Sequence, residues 1–495
     1  MKINNRVSLV LSVSVIVAIV LGVTPILLTF KEFSLGQAVA INSTGFMIEK
    51  FSSPIVVGSA SNESSSHAPA AVVDPKTDVM YVAYVENAGG ADSTKRGGIG
   101  HGDLFIKTST DGGKTFSDPV RVNDKAGEVY PDHRVPPALA IGPNGEVNVI
   151  WVSTESSPNL MHGKRTIQFA VSTDGAESFS TPVAVTDKNT TSATQEFARS
   201  FYGIDVSEDG KIYIGYLESP VLRLENGTLD DDEVRENTIG FVRSVDGGRT
   251  FGDFVTIDTN PCPCCNVHVL AGPDNSVFVS WRKVFELDEP VNGASSIRDM
   301  VVARSTDGGQ TFSKPVKISD DKFYFDGCAH VGAPMAMDSK GNLHIAWYTG
   351  KTGSPGIYYA VSSDMGKTFG KPVPIVVDEW VPPSRVSLAV GENDIPWLAY
   401  EVPVELASGN IAAPTNATEI DAWRYTEAQA LIEVAKVLPG GEVVKTQQQL
   451  NQVDGREPVI VLAGDKAAVL WGNINNEVLC STAIKSAKTD IGLTI

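Results

Sequence analysis

Positive charge is scarce in this sequence. Its 495 residues hold 40 lysines and arginines against 59 aspartates and glutamates, a formal charge of −19 at pH 7. That balance argues against nucleic acid or an anionic membrane surface as the main partner; an anionic ligand would need a local basic pocket to overcome the field. Cysteine is scarce too, at five, and no low-complexity tract dominates, so the composition is that of a globular protein. What is plentiful is turn chemistry. There are 45 glycines and 28 prolines, set with Asn, Asp and Ser between short apolar runs, which points to an all-β chain. The length is too great for one ordinary core unless a repeat or barrel architecture spreads it.

The N-terminus is distinct. Lys2 and Arg6 precede an uncharged run, Val7–Phe30. As a helix it is long enough to span a hydrocarbon core, and it exceeds the usual signal-peptide apolar region. The small-x-small sequence at Ala38–Ala40 offers the alternative of a cleaved signal, although it lies far from the run. Residues 1–40 are therefore expected to be a transmembrane signal anchor or a signal helix with a short linker, and residues 41–495 the exported domain. Basic residues on the short leading side keep that end inside. The expected location is the cell surface, anchored by one N-terminal helix, or the exterior if the segment is cleaved. Cysteines can oxidise there. Five sequons, at Asn42, Asn62, Asn189, Asn226 and Asn416, are compatible with a glycosylated exterior.

One phrase recurs five times: "STDGGKTFSDP" from Ser109, "STDGAESFSTP" from Ser172, "SVDGGRTFGDF" from Ser244, "STDGGQTFSKP" from Ser305 and "SSDMGKTFGKP" from Ser362. The interval of roughly sixty residues suits one four-stranded unit plus loops. Ser and Asp side chains bond their own turn, Gly supplies the unusual dihedral and Phe plugs the turn onto the core. Upstream of each phrase lies a second strand pair, as in "PALAIGPNGEVNVIWV" and "HVLAGPDNSVFVSWR". A sixth unit opens at "RVSLAVGENDIPWLAY" and a seventh at "EPVIVLAGDKAAVLWG", both without the phrase. The segment "KFSSPIVVG", near residues 50–58, reads like the strand after a phrase and is expected to complete the last unit.

These motifs resemble the Asp-box (BNR) repeat of the sialidase superfamily, over most of residues 60–378. The resemblance implies a β-propeller of four-stranded antiparallel blades. Seven blades are favoured by the count here; six, the number in a sialidase catalytic ring, is the alternative. It also implies that Asp111, Asp174, Asp246, Asp307 and Asp364 are scaffold. In such a blade the phrase turns lie on one face. The entries to first strands and the long insertions, such as "NAGGADSTKRGGIGHG" and "VFELDEPVNGASSIRD", lie on the other. Six histidines, His67, His101, His133, His162, His268 and His330, fall on that upper face, leaving His344 inside a strand.

Two constellations share the upper face. The stretch "PCPCCNVH" sets Cys262, Cys264, Cys265 and His268 at the entry to the fourth unit, and "DGCAH" sets Cys328 and His330 at the fifth. One reading is a disulfide stapling neighbouring blades, between Cys265 or a neighbour and Cys328. Another is a copper or zinc site, which thiolate and imidazole ligands suit, although the spacing matches no standard finger. Cys480 reads as a lone buried thiol.

The second constellation is arginine. A sialidase implies three arginines gripping a sugar carboxylate, a tyrosine activated by a glutamate and an acid/base aspartate. Carried onto this sequence, these are Arg134, Arg199 and Arg298, with Tyr202 or Tyr324, Glu196 or Glu218, and Asp132. Arg165, Arg282 and Arg385 join the rim as substrate-binding candidates. The plainer reading pairs these arginines with nearby acids, as Arg298 with the loop of Asp299 or Arg223 with Glu225. Three function classes follow: a sialidase-like glycoside hydrolase or glycan-binding relative for acidic glycans or glycoproteins, a surface metalloprotein, and an adhesion or scaffold propeller with disulfide-stapled blades.

Overall fold

A computed structural model describes residues 50–484, except 60–68, 88–101, 131, 133, 155–164, 186–195, 222–235, 253, 328, 392, 404–429, 447–449, 452–454, 465 and 474–476. The N-terminal segment 1–40, the five sequons, His67, His101, His133, His162, Arg223, Glu225 and Cys328 lie outside the described residues. Among the described residues every regular element is a strand, and no helix is long and apolar enough to cross a membrane.

The strands are β1 (Lys50–Phe51) and β2 (Ile55–Ser59), then seven successive groups. The first is β3 (Ala70–Val73), β4 (Met80–Asn87), β5 (Gly102–Ser109) and β6 (Val120–Arg121). The second is β7 (Ala138–Ile141), β8 (Val147–Thr154), β9 (Arg165–Ser172) and β10 (Val183–Ala184). The third is β11 (Glu196–Val206), β12 (Ile212–Val221), β13 (Thr238–Ser244) and β14 (Val255–Thr259). The fourth is β15 (His268–Ala271), β16 (Val277–Val291), β17 (Ala294–Ser305) and β18 (Val316–Lys317). The fifth is β19 (Met335–Met337), β20 (Leu343–Thr349), β21 (Gly356–Ser362) and β22 (Val373–Val377). The sixth is β23 (Val386–Val390), β24 (Pro396–Pro403), β25 (Ala430–Val437) and β26 (Val443–Lys445). The last is β27 (Gly455–Ala463), β28 (Lys466–Asn473) and β29 (Glu477–Ile484).

Within each group consecutive strands pair antiparallel. A single parallel contact, Ala198 to Arg165, joins the second and third groups into one eight-stranded sheet. The last group is completed from the other end of the chain: Ile55 pairs with Cys480 and Lys50 with Ile484. The first strands β3, β7, β11, β15, β19, β23 and β27 abut in that order, and β27 abuts β3. The sheets thus follow one another around a closed, propeller-like circle.

The core lies between neighbouring sheets. One cluster joins Tyr81 and Leu104 of the first group to Val149 and Trp151 of the second; another joins Phe278 and Met300 of the fourth to Ile345 and Trp347 of the fifth. Because a sheet is covered on both faces, its second strand reads as a continuous apolar run, and β20 is buried at every position. Trp281 and Trp347 repeat one device: the indole is buried while Nε1 donates to an aspartate at the outer edge, Asp258 at 3.0 Å and Asp321 at 2.7 Å.

The five repeated phrases adopt one turn. In the first, Ser109 Oγ donates to Asp111 Oδ1 at 2.8 Å, accepts from Gly113 N at 2.8 Å, and Thr115 bonds Asp111 through both N and Oγ1. The others repeat it from Ser172, Ser244, Ser305 and Ser362. Gly248 shows why glycine closes the turn: its φ is +81°, and a Cβ there would overlap the Phe169 ring. The donors hold the carboxylates ionised. The Ser178 hydroxyl is the main cause at Asp174 and the Thr250 hydroxyl at Asp246, bringing each to about 2. At Asp111 and Asp307 burial acts upward, but the hydrogen bonds outweigh it and hold these also at about 2. A carboxylate depressed in the folded state stabilises the fold above its unfolded pKa, and that stabilisation fades as pH falls through the folded value. Thermal unfolding is therefore expected to show a falling midpoint between pH 4 and pH 2, and the drop should flatten in an Asp174→Asn, Asp246→Asn double variant. An unchanged drop in that variant would place the acid lability elsewhere.

One segment departs from the sequence reading. "VFELDEPVNGASSIRD" is not a loop but a long hairpin, because β16 and β17 pair as far as Val291 with Ala294. Its tip is Asn292 and Gly293, at φ 53° and 82°, which is the two-residue turn that matches strand twist.

Candidate functional site

The seven first strands surround a cavity of about 390 Å³. Every group lends to its wall, through Ala70, Pro137, Tyr202, His268, Val331, Arg385 and Glu457 among others. The close approach of β11 and β15 depends on Gly203, where a Cβ would meet Val267 O at 2.8 Å and Val269 N at 2.9 Å. The wall is polar and apolar in about equal parts, and several of its polar side chains are perturbed. Arg385 forms an ion pair with Glu457. Burial, with Arg385 beside it, lowers His268 to about 4, so the imidazole is neutral at pH 7. Burial raises Asp205 to about 6 even though Ala271 N donates to it at 2.7 Å. Asn266 donates to the Arg134 carbonyl at 3.3 Å, while its buried Oδ1 meets no donor among the described residues. Neither Asp205 nor Glu457 was singled out in the sequence. A lone acid in the otherwise apolar "FYGIDV", and another just before the proline that opens "PVIVLA", were the available signals.

The predicted arginines are each engaged locally. Arg134 grips Asp132 through Nε at 2.9 Å and Nη2 at 2.6 Å. Arg199 and Glu218 face each other across β11 and β12 as a buried pair at 2.7 Å. Arg165 lies over the Tyr130 ring at 4.4 Å and donates to its hydroxyl. Arg282, 1% exposed, donates to the carbonyls of Arg298 and Tyr348. Arg298 donates to the Phe325 carbonyl at 2.8 Å and to Cys262 Sγ at 3.2 Å. Of the tyrosines, Tyr202 lines the cavity, and burial pushes its phenol far up, so it stays protonated. Tyr324 bridges Ile297 outside the named strands. Glu196 begins β11. Each guanidinium the sequence nominated for a ligand thus has partners within the protein, and Glu218 meets an arginine.

The cysteines gather at the entry to the fourth group. Among the described residues, Cys262, Cys264 and Cys265 form a buried group whose sulfurs all lie within 4.8 Å of one another. Cys262 and Cys265 are free thiols with sulfurs 3.3 Å apart. Cys264, whose sulfur is 3.9 Å from that of Cys262, is the one described cysteine that is not a free thiol. Burial alone would raise Cys265, but its hydrogen bond with Cys262 and the charges of Arg282 and Arg298 hold it down. The imidazoles stand apart: His330 Nδ1 lies 3.3 Å from the Cys264 carbonyl and His268 lines the cavity. Cys480, in β29, is free and buried, and burial pushes it up to about 12. His344 is buried on β20 between Asp338 and Tyr359.

Fold and site define a closed circle of antiparallel sheets around a lined axial cavity. No protein-family model matches the chain, and no curated protein matches it. Among solved structures it is similar to an ulvan lyase of a new polysaccharide lyase family, at 14% identity and TM-score 0.51, over 86% of this chain and 95% of that one. A mutant NanB sialidase from Streptococcus pneumoniae is 11% identical at TM-score 0.45, over 87% and 94%. A protein of unknown function from Dyadobacter fermentans is 12% identical at TM-score 0.45, over 88% and 98%. At these identities the likeness is one of fold.

Proposed function

We propose that this is an exported, membrane-tethered, seven-bladed propeller that binds an acidic glycan at the axial cavity. The observation that carries the reading is the cavity itself: seven converging strands set an arginine paired with Glu457, a neutral imidazole and the Asn266 amide in a wall that is polar and apolar in about equal parts. Such a wall stacks on a sugar ring while a few placed polar groups orient it. A structure of the similar ulvan lyase holds a glucuronate–rhamnose 3-sulfate chain, which makes uronate and sulfate the charges to try first. The tether rests on Val7–Phe30, and a Cys264–Cys328 staple between the fourth and fifth blades rests on Cys264 not being a free thiol.

Calorimetry with ulvan oligosaccharides, and separately with sialyllactose, tests the reading. Binding is expected for at least one, weakened ten-fold or more by Arg385→Ala. It is also expected to strengthen as pH falls from 7 to 5. Asp205, raised to about 6, is anionic above that value and repels an anionic sugar, and becomes neutral below it. Asp205→Asn should remove that pH dependence. Absence of binding to both sugars at pH 5 and pH 7 would defeat the proposal.

A further inference from the structure

The sulfur cluster has an electrostatic setting that the glycan reading does not use. Arg282 is fully buried and brings a guanidinium into the interior. Among the described residues its Nη atoms donate to carbonyls, and its Nε, also buried, meets no acceptor. Arg298 is half-buried and likewise meets a carbonyl and the Cys262 sulfur. Among the described residues neither guanidinium pairs with a carboxylate. A buried cation without a counter-charge is strongly unfavourable. Among the described residues, Arg298 reaches the Cys262 sulfur, which lies 3.3 Å from that of Cys265, and both sulfurs are buried and able to supply negative charge.

We propose that Cys262 and Cys265 form a two-thiolate site for a soft monovalent metal ion, copper(I), with Arg282 and Arg298 balancing its charge. The charge count selects the ion. Two thiolates around a monovalent ion leave one net negative charge for the guanidiniums to offset. Around a divalent ion they leave none, and the buried Arg282 stays without a counter-charge. Sulfur ligands without imidazole or carboxylate also select copper(I) over harder ions. Metal–sulfur bonds of about 2.3 Å allow two sulfurs up to about 4.6 Å apart, so the pair has only to open by roughly 1 Å. Binding forms two sulfur–copper bonds, and any proton still on a sulfur passes to solvent; no electron is transferred, because the copper is supplied as copper(I). The site does not depend on the axial cavity binding a glycan.

The test is anaerobic titration of the full chain, with its Cys264 bond left intact, against the copper(I)–bathocuproine disulfonate complex. Loss of that complex's visible absorbance reports transfer. One equivalent is expected to move. Cys262→Ser and Cys265→Ser should each weaken uptake at least 100-fold, and Cys480→Ser should leave it unchanged. Should a serine variant fail to fold, Arg298→Gln keeps both thiols and is expected to weaken uptake at least ten-fold. A folded wild-type chain that takes no copper would overturn the proposal. So would undiminished uptake by the folded serine variants, or a Cys262–Cys265 disulfide in chain isolated anaerobically, which would make the pair a redox couple instead.

Discussion

Replacing Glu218 by glutamine is expected to cost about 3–5 kcal/mol of unfolding free energy, measured by urea denaturation. Arg199 and Glu218 are registered partners on β11 and β12, their side chains 8% and 6% exposed. The guanidinium also lies 5.6 Å from the Phe197 ring and 5.9 Å from the Tyr216 ring, so it is packed among aromatic side chains as well as paired. The cost arises from leaving a buried charge less compensated rather than from the lost attraction alone. A double variant, Arg199→Met with Glu218→Leu, should therefore recover most of it. If the single variant lost less than about 1 kcal/mol, the pair would behave as solvated, and Arg199 would again be available to a ligand.

Trp347→Ala is expected to be comparably damaging, at about 3–5 kcal/mol, through the cavity it leaves between the fourth and fifth sheets. The indole is 0% exposed, stacks on Tyr358 at 6.0 Å between centroids, and caps Asp321. Trp347→Phe separates the two contributions. It keeps most of the packing but leaves the buried Asp321 carboxylate short of a donor, for an expected loss of about 1–3 kcal/mol. Equal losses for the two variants would assign the whole effect to the hydrogen bond.

The sequence made the architecture legible because its information is local and repeated. A Ser–x–Asp–Gly turn organises itself through bonds spanning two to four residues, so five copies announce five strand pairs wherever they fall. The sixth and seventh groups, without the phrase, were still marked by apolar runs that became β23, β24, β27 and β28. The β16–β17 hairpin was read as loop although Asn292–Gly293 is the strongest short hairpin signal in that stretch. Its β16 arm looks like loop composition because it is charged and mostly exposed beyond Phe285.

The site was legible only in part. Proximity of Cys262, Cys264 and Cys265 follows from chain neighbourhood alone. The partner of each arginine does not, because a guanidinium on one strand finds its acid across the sheet, as Arg199 finds Glu218, or at another entry, as Arg385 finds Glu457. Residue types thus determined the strands, the turns and the clustering of Cys262, Cys264 and Cys265. The closing of the circle decided which charges neutralise one another, that Asp205 and His268 face a shared cavity, and that Arg282 is buried beside sulfur. Such pairings are set by distances between segments far apart in the chain, and those exist only once every sheet has packed against its neighbours.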